Sequence, residues 1–161
     1  MAGLLVKSPK SEQPSSSLTA KVCILETTDL HMQILAYDYF ANKPTPNIGL
    51  IPLAGLIEAH RNDPTVTSLL FDNGDFLQGN PLADHIARLN DQTQVHPMIG
   101  AMNMLSYDAV GLGNHEFNYG LPFLVGALKH ADFPVVCANV QHADGGGVPA
   151  PLHASEQTDH L

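Results

Sequence analysis

SLLFDNGDFLQGNPL, residues 68–82, holds in one stretch the plan on which the rest of the chain is built. SLLFD (68–72) is a short apolar run rich enough to be a buried strand, NGDF supplies a glycine turn and the carboxylate of Asp75, and a helical pattern follows from about Leu82 to Leu89. The same plan recurs on both sides. VCILE (22–26) reads as a strand running into TTDLH, and LIPLAGLIEAHR (50–61) repeats its apolar residues at helical intervals. A further helical stretch covers about Pro97 to Leu105. DAVGL (108–112) is a strand running into GNHEF, PFLVGALKH (122–130) is helical, and PVVCAN (134–139) is a fourth strand. Strands that alternate with helices imply βαβ units with parallel strands and right-handed crossovers, hence an α/β fold. The segment AYDYFANKPTPNIG (36–49) is too long and polar for a tight connection and is expected to be a surface loop near the site.

Composition bounds what such a fold can do. A chain of 161 residues fits one domain, and at that size roughly 68–70% of the unfolded surface can be buried. Sixteen acidic against seven basic residues give a net charge of −9, which repels polyanions and argues against a nucleic-acid polymer as partner. No apolar run reaches the roughly 18 residues of a membrane span, so no membrane partner is expected. Cys23 and Cys137 sit in apolar runs and are expected to be buried, reduced thiols. Of nine histidines, His60, His85, His96 and His130 fall in helical or connecting segments and are expected to be solvated; Arg61 and Lys129 likewise receive no role.

Three polar clusters follow three separate strands. In parallel sheets, ligands bind beyond the carboxyl ends of the strands, because every strand-to-helix loop opens there. Asp29 and His31 follow the first strand, Asp75 the second, Asn114 and His115 the third, so all should converge on one edge. Carboxylate, amide and imidazole donors together suit Zn²⁺, Mn²⁺, Fe²⁺ or Co²⁺, and an Asp able to bridge suits two such ions. Gly74 and Gly113 allow the sharp exits such a site needs. Each residue also has a plainer use: Asp29 as a helix cap, Asp75 closing a turn, His31 on the surface. Glu116 reads as a carboxylate that supports the site from behind, or starts a helix, rather than as a ligand.

TTDLH, FDNGDFLQGNPL and GLGNHEFNYGL resemble the first blocks of the calcineurin-like metallophosphoesterase superfamily. Within it they resemble the 5′-nucleotidase family, and most closely the bacterial 2′,3′-cyclic-nucleotide 2′-phosphodiesterase/3′-nucleotidase branch, over about Val22 to Val140. The resemblance implies packed β-sheets with helices outside and two divalent metal ions, of Mn, Zn, Co, Fe or Mg. It implies Asp29 and His31 on the first metal, Asp75 bridging, Asn114 on the second, and His115 as the catalytic His. The implied substrate is a small nucleotide: a 2′,3′-cyclic nucleotide opened to the 3′-nucleotide, which then loses its phosphate. A 5′-nucleotidase or UDP-sugar hydrolase is the alternative within the superfamily, and a non-catalytic anion- or partner-binding domain the alternative outside it. In the 5′-nucleotidase branch an Asp orients the catalytic His from three residues beyond it; Asn118 stands there here, as in the cyclic phosphodiesterase branch, and should leave His115 less easily protonated.

The resemblance also sets the expected organisation. Residues 1–20 read as a flexible, Ser- and Pro-rich leader, 21–140 as an incomplete phosphoesterase domain, and 141–161 as a disordered tail unlike the family. Family members continue for hundreds of residues, adding two further His-containing blocks and a C-terminal domain that stacks the base. His142, His153 and His160 lack the neighbours to stand in for those blocks. The expectation is therefore a truncated or frameshifted front half with weak activity or none. Relatives work in the periplasm, whereas GLLV at the N-terminus falls short of the roughly 7–15-residue apolar core of a signal peptide, which points to the cytoplasm if translated as written.

Overall fold

The computed structural model describes residues 20–138 and 140. The expected leader, apart from Ala20, and the expected tail with its three histidines lie outside the described residues. Four strands form a parallel sheet in the order β1 (Val22–Thr27), β4 (Thr67–Asp72), β5 (Ala109–Gly111) and β6 (Val135–Val136). Between them run α1 (Leu50–Arg61), α2 (Pro81–Leu89) with α3 (Pro97–Met104), and α4 (Leu121–Leu128). The expected elements are all present, with the fourth strand shortened to two residues. The segment expected to be a loop closes on itself instead. It carries a two-residue ribbon, β2 (Tyr37–Asp38) with β3 (Lys43–Pro44), and its ends meet where Leu50 N donates to Gln33 O at 2.9 Å.

The sheet order equals the chain order, so right-handed crossovers place every helix on the same side. Register confirms which face that is. Leu70, Val110 and Val135 point into the core with Leu50, Ile57, Met98, Ile99, Met102, Leu124 and Leu128. The opposite face carries Val22 at 59%, Ile24 at 66% and Val136 at 52% exposure. A parallel sheet is ordinarily covered on both faces; among the described residues only one face is. The packed pair of sheets implied by the resemblance is thus represented here by a single parallel sheet.

Local chemistry explains the boundaries. Asn80 caps α2 by accepting from Ala83 N at 3.0 Å, with Pro81 at the first helical position, where its missing N–H costs nothing. Arg61 is not solvated as expected: its Nη2 donates to Ser106 O and, at 2.7 Å, to Asp108 Oδ2, which also accepts from Leu70 N. The reason is position, since the last turn of α1 lies against the start of β5. Neither cysteine is buried; both are partly exposed, because they lie in strands at the two edges of the sheet or just beyond. Among the described residues no helix is long and apolar enough to cross a membrane.

Candidate metal centre

Beyond the strand ends, the two loops after β1 and β4 keep pairing. Asn73 N donates to Thr27 O, Asp29 N to Gly74 O, His31 N to Asp75 O and Met32 N to Phe76 O, at 2.8–3.0 Å. Holding that register bends the chain into left-handed backbone at Asp29, His31, Met32 and Asp75 (φ 53, 46, 58 and 62°). Each such residue costs on the order of 1 kcal/mol, and strain of this kind collects at functional sites. Met32, fully buried, anchors the turn in the core.

Glycines let the three loops close up. A Cβ at Gly74 would stand 2.2 Å from Gly113 N, one at Gly113 would stand 2.2 Å from Asp75 Oδ1, and one at Gly79 would stand 2.5 Å from His31 Cβ. The product is a group formed by His31, Asp75 and His115, whose donor atoms all lie within 4.8 Å of one another. Two imidazoles and a carboxylate at that spacing fit a divalent first-row cation. The His31 and His115 rings meet edge to face, with centroids 5.1 Å apart.

Of the other expected ligands, Asp29 lies beside this group: its Oδ1 is 3.7 Å from His31 Nε2, while Thr28 donates to its Oδ2 at 2.6 Å. Asn114 is exposed and its side chain caps nothing; its neighbour's amide, His115 N, donates to Asp75 Oδ1 at 2.8 Å. Glu116 is the middle residue of a short 3₁₀ turn (His115–Phe117) and is fully buried. Its Oε2 accepts from Asp75 N and Gly113 N, at 2.8 and 2.7 Å, and its Oε1 from Phe76 N and Leu77 N, at 2.7 and 3.1 Å. One carboxylate therefore satisfies four backbone donors of two loops that no regular ladder could serve.

Two residues not singled out from the sequence complete the arrangement. Gln78 O faces His31 Nδ1 at 2.8 Å, and Gln78 Oε1 faces His115 Nδ1 at 2.7 Å. The backbone carbonyl is an acceptor, so His31 carries its proton on Nδ1 and keeps the Nε2 lone pair for the site, while the Nδ1 side of His115 is engaged by Gln78 and Asn118. Asn118 Nδ2 donates to the same Gln78 Oε1 and lies 2.9 Å from His115 Nδ1. Behind His115, then, stand both Asn118 and Gln78, forty residues apart in the chain. Asp72, 3% exposed, accepts from Thr27 Oγ1 at 2.6 Å and from Gly74 N at 2.8 Å. Burial, with smaller contributions from the charges of Glu116 and Asp29, pushes its carboxyl up to about 6 against the pull of those two hydrogen bonds. The signal for both residues was in the quoted block: Asp72 ends the strand, and Gln78 lies in the loop, that present Asp75.

The fold has solved counterparts. A calcineurin-like phosphoesterase, YfkN from Bacillus subtilis, superposes with a TM-score of 0.70 at 49% identity, covering 76% of this chain and 38% of that one. The chain belongs to the calcineurin-like phosphoesterases. Among curated proteins, the trifunctional nucleotide phosphoesterase YfkN of Bacillus subtilis is 42% identical over 160 residues, 96% of this chain. The 2′,3′-cyclic-nucleotide 2′-phosphodiesterase/3′-nucleotidase of Yersinia enterocolitica is 46% identical over 127 residues, 78% of this chain. This calcineurin-like phosphoesterase chain spans 11% and 19% of the lengths of those two relatives. No family model matches it.

Proposed function

We propose that the chain contributes the metal-binding front of a phosphoesterase that opens 2′,3′-cyclic nucleotides to 3′-nucleotides and removes the 3′-phosphate. The observation that carries this reading is the convergence of His31, Asp75 and His115 donor atoms within 4.8 Å, beyond the ends of adjacent parallel strands. Asp29 and Asn114 are the further ligands in this proposal, Asp75 the bridge between two ions, and His115 the group that faces the phosphoryl oxygens. Divalent cations at such a site supply Lewis-acid stabilisation of charge developing on a phosphoryl group. The chain's own residues supply orientation. Gln78 engages Nδ1 of both rings, Glu116 fixes the backbone on either side of Asp75, and His115 Nε2 is left to place or accept a proton at the ester oxygen. Four donor residues, Asp29, His31, Asp75 and Asn114, fall short of two full coordination spheres, so weak turnover by this chain alone belongs to the proposal.

Titration of Mn²⁺ into the chain, followed by assay of 2′,3′-cyclic AMP, 3′-AMP and 5′-AMP, tests it. Binding of one or two ions that is lost in Asp75→Ala is expected, with 3′-AMP preferred over 5′-AMP. A preference for 5′-AMP would favour the 5′-nucleotidase reading, against which Asn118 stands. Mn²⁺ binding that is indifferent to Asp75→Ala would leave only a partner-binding domain.

A further inference from the structure

His96 overturns the expectation that it is solvated. As the residue that leads into α3 it is drawn under the helices, 6% exposed, edge-on to Phe123 at 5.7 Å, and neither ring nitrogen has a hydrogen-bond partner among the described residues. The polar groups buried beneath the candidate metal centre are, by contrast, all paired. Thr27 and Asp72 are register partners, the last residues of β1 and β4, and both are buried. Thr27 Oγ1 donates to Asp72 Oδ2 at 2.6 Å and lies 2.8 Å from the hydroxyl of Tyr107, a buried residue just before β5 and eighty positions along the chain. Asp72 Oδ1 accepts from Gly74 N at 2.8 Å.

One assignment of protons fits these contacts. Asp72, at about 6, is ionised at pH 7 and can only accept. Thr27 therefore gives its single proton to Asp72, and its oxygen is left to accept from Tyr107. Burial pushes Tyr107 up to about 12, so the phenol keeps the proton it donates. The hydrogen bonds run from Tyr107 to Thr27 to Asp72, across three strand positions of the sheet. Aliphatic side chains of similar volume would join those strands without burying a carboxylate, and such replacements are often neutral or stabilising. Strand packing alone thus gives no reason for the polar set.

What the carboxylate fixes is the exit of the chain from the sheet. Bonded to the amide two residues on, Asp72 closes a turn in which Gly74 takes a φ of 98°. The Gly74 carbonyl accepts from Asp29 N at 3.0 Å, and the residue after Gly74 is Asp75. Thr27 stands two residues before Asp29 on the other strand. With Oδ2 held by Thr27, the carboxylate is kept turned toward Gly74; with Thr27 held by Tyr107, that hydroxyl is kept turned toward Asp72. We propose that Tyr107, Thr27 and Asp72 form a buried positioning relay that sets how the loops after β1 and β4 leave the sheet, and thereby where Asp29 and Asp75 stand. That these two carboxylates are metal ligands rests on the proposed function; the hold of the relay on the loops does not.

Thr27→Val removes the hydroxyl and keeps the β-branched shape, whereas Thr27→Ser keeps the hydroxyl. NMR of the metal-free 161-residue chain reads the relay directly. In Thr27→Val the Gly74 amide proton should move upfield as its carboxylate partner turns away, and backbone order parameters at Asp29, Gly74 and Asp75 should fall below the rigid value of about 0.85 while the middles of β1 and β4 keep theirs. Thr27→Ser should match wild type. Tyr107→Phe, the milder change, should move the same signals in the same direction by less. Mn²⁺ affinity is the second readout: Thr27→Val should bind about five- to tenfold more weakly, the worth of one hydrogen bond, and Thr27→Ser should restore it. A merely structural threonine would lower stability without moving either readout in the folded chain. Gly74 and Asp29 signals that stay in place in both Thr27→Val and Tyr107→Phe overturn the relay, as does a Thr27→Ser that behaves like Thr27→Val. A wild-type chain that binds no Mn²⁺ overturns the proposed function instead, and the metal-free spectra still decide the relay.

Discussion

Glu116→Gln is the most exacting change that can be made near the candidate centre, because it removes one oxygen and almost no volume. The carboxylate accepts four backbone N–H groups, two on each oxygen. A carboxamide keeps one acceptor oxygen and turns an NH₂ toward the other pair of donors. Whichever way it rotates, two N–H groups lose their acceptor, the buried pair of Phe76 and Leu77 or the partly buried pair of Asp75 and Gly113. At about 1–3 kcal/mol for each orphaned donor, with the remaining pair no longer charge-assisted, the loss comes to about 3–6 kcal/mol. One term opposes it: the Glu116 charge raises Asp72, but burial raises Asp72 more, so relief of that repulsion is the smaller effect. The donors affected belong to Asp75 and Gly113 or to Phe76 and Leu77, so the loop that presents Asp75 should loosen with the fold. Urea unfolding at pH 7 measures the first effect and Mn²⁺ titration the second. A Glu116→Gln protein within about 1 kcal/mol of wild type, still binding Mn²⁺ with unchanged affinity, would refute the reasoning that this carboxylate holds the two loops together.

Four further outcomes can be checked. Gly113→Ala places a Cβ 2.2 Å from Asp75 Oδ1 and should weaken metal binding roughly tenfold or more, by calorimetry, while far-UV circular dichroism stays unchanged. His96 has a folded-state pKa near 4 against 6.5 for the unfolded chain, so between those values the unfolded chain binds more protons and stability rises with pH. That contribution, about 3 kcal/mol in full, is present above pH 6.5 and lost toward pH 4; Asp72, raised from 3.8 to about 6, runs the other way. The pH dependence of wild type minus His96→Leu, from urea midpoints at pH 4.5 and 7, isolates the histidine. Arg61→Met should cost about 1 kcal/mol in the same assay, since the partly buried Asp108 loses its cation but keeps Leu70 N. Ile24→Lys, on the uncovered face of the sheet, should reduce concentration-dependent self-association in sedimentation and lower dye binding to exposed apolar surface.

Helical and strand periods were legible because they are local: α1 spans the residues its apolar spacing marks out, and β1 and β4 extend only one residue beyond theirs. Strand-end clustering was legible because parallel topology dictates where strand-to-helix loops open, and that alone brings His31, Asp75 and His115 toward one edge. Other features of the site depend on partners distant in the chain. Gln78 earns its place by serving two rings, 47 and 37 residues away, one through its carbonyl and one through its side chain. Glu116 reads locally as a helix start, yet its four donors come mostly from a loop some forty residues earlier. Arg61 and His96 were misread for the same reason: helix-like surroundings say nothing of whether a neighbouring element will cover the side chain.

By itself, then, the sequence determined the α/β order of elements, the family and the edge at which chemistry gathers, since period, glycine placement and motif are properties of short stretches. Only the tertiary structure decided which donor atoms meet, which nitrogen of each imidazole is engaged behind the site, and which polar groups are buried without a partner. Those depend on hydrogen bonds and covering surfaces contributed by residues forty or so positions apart, and no short stretch carries that information.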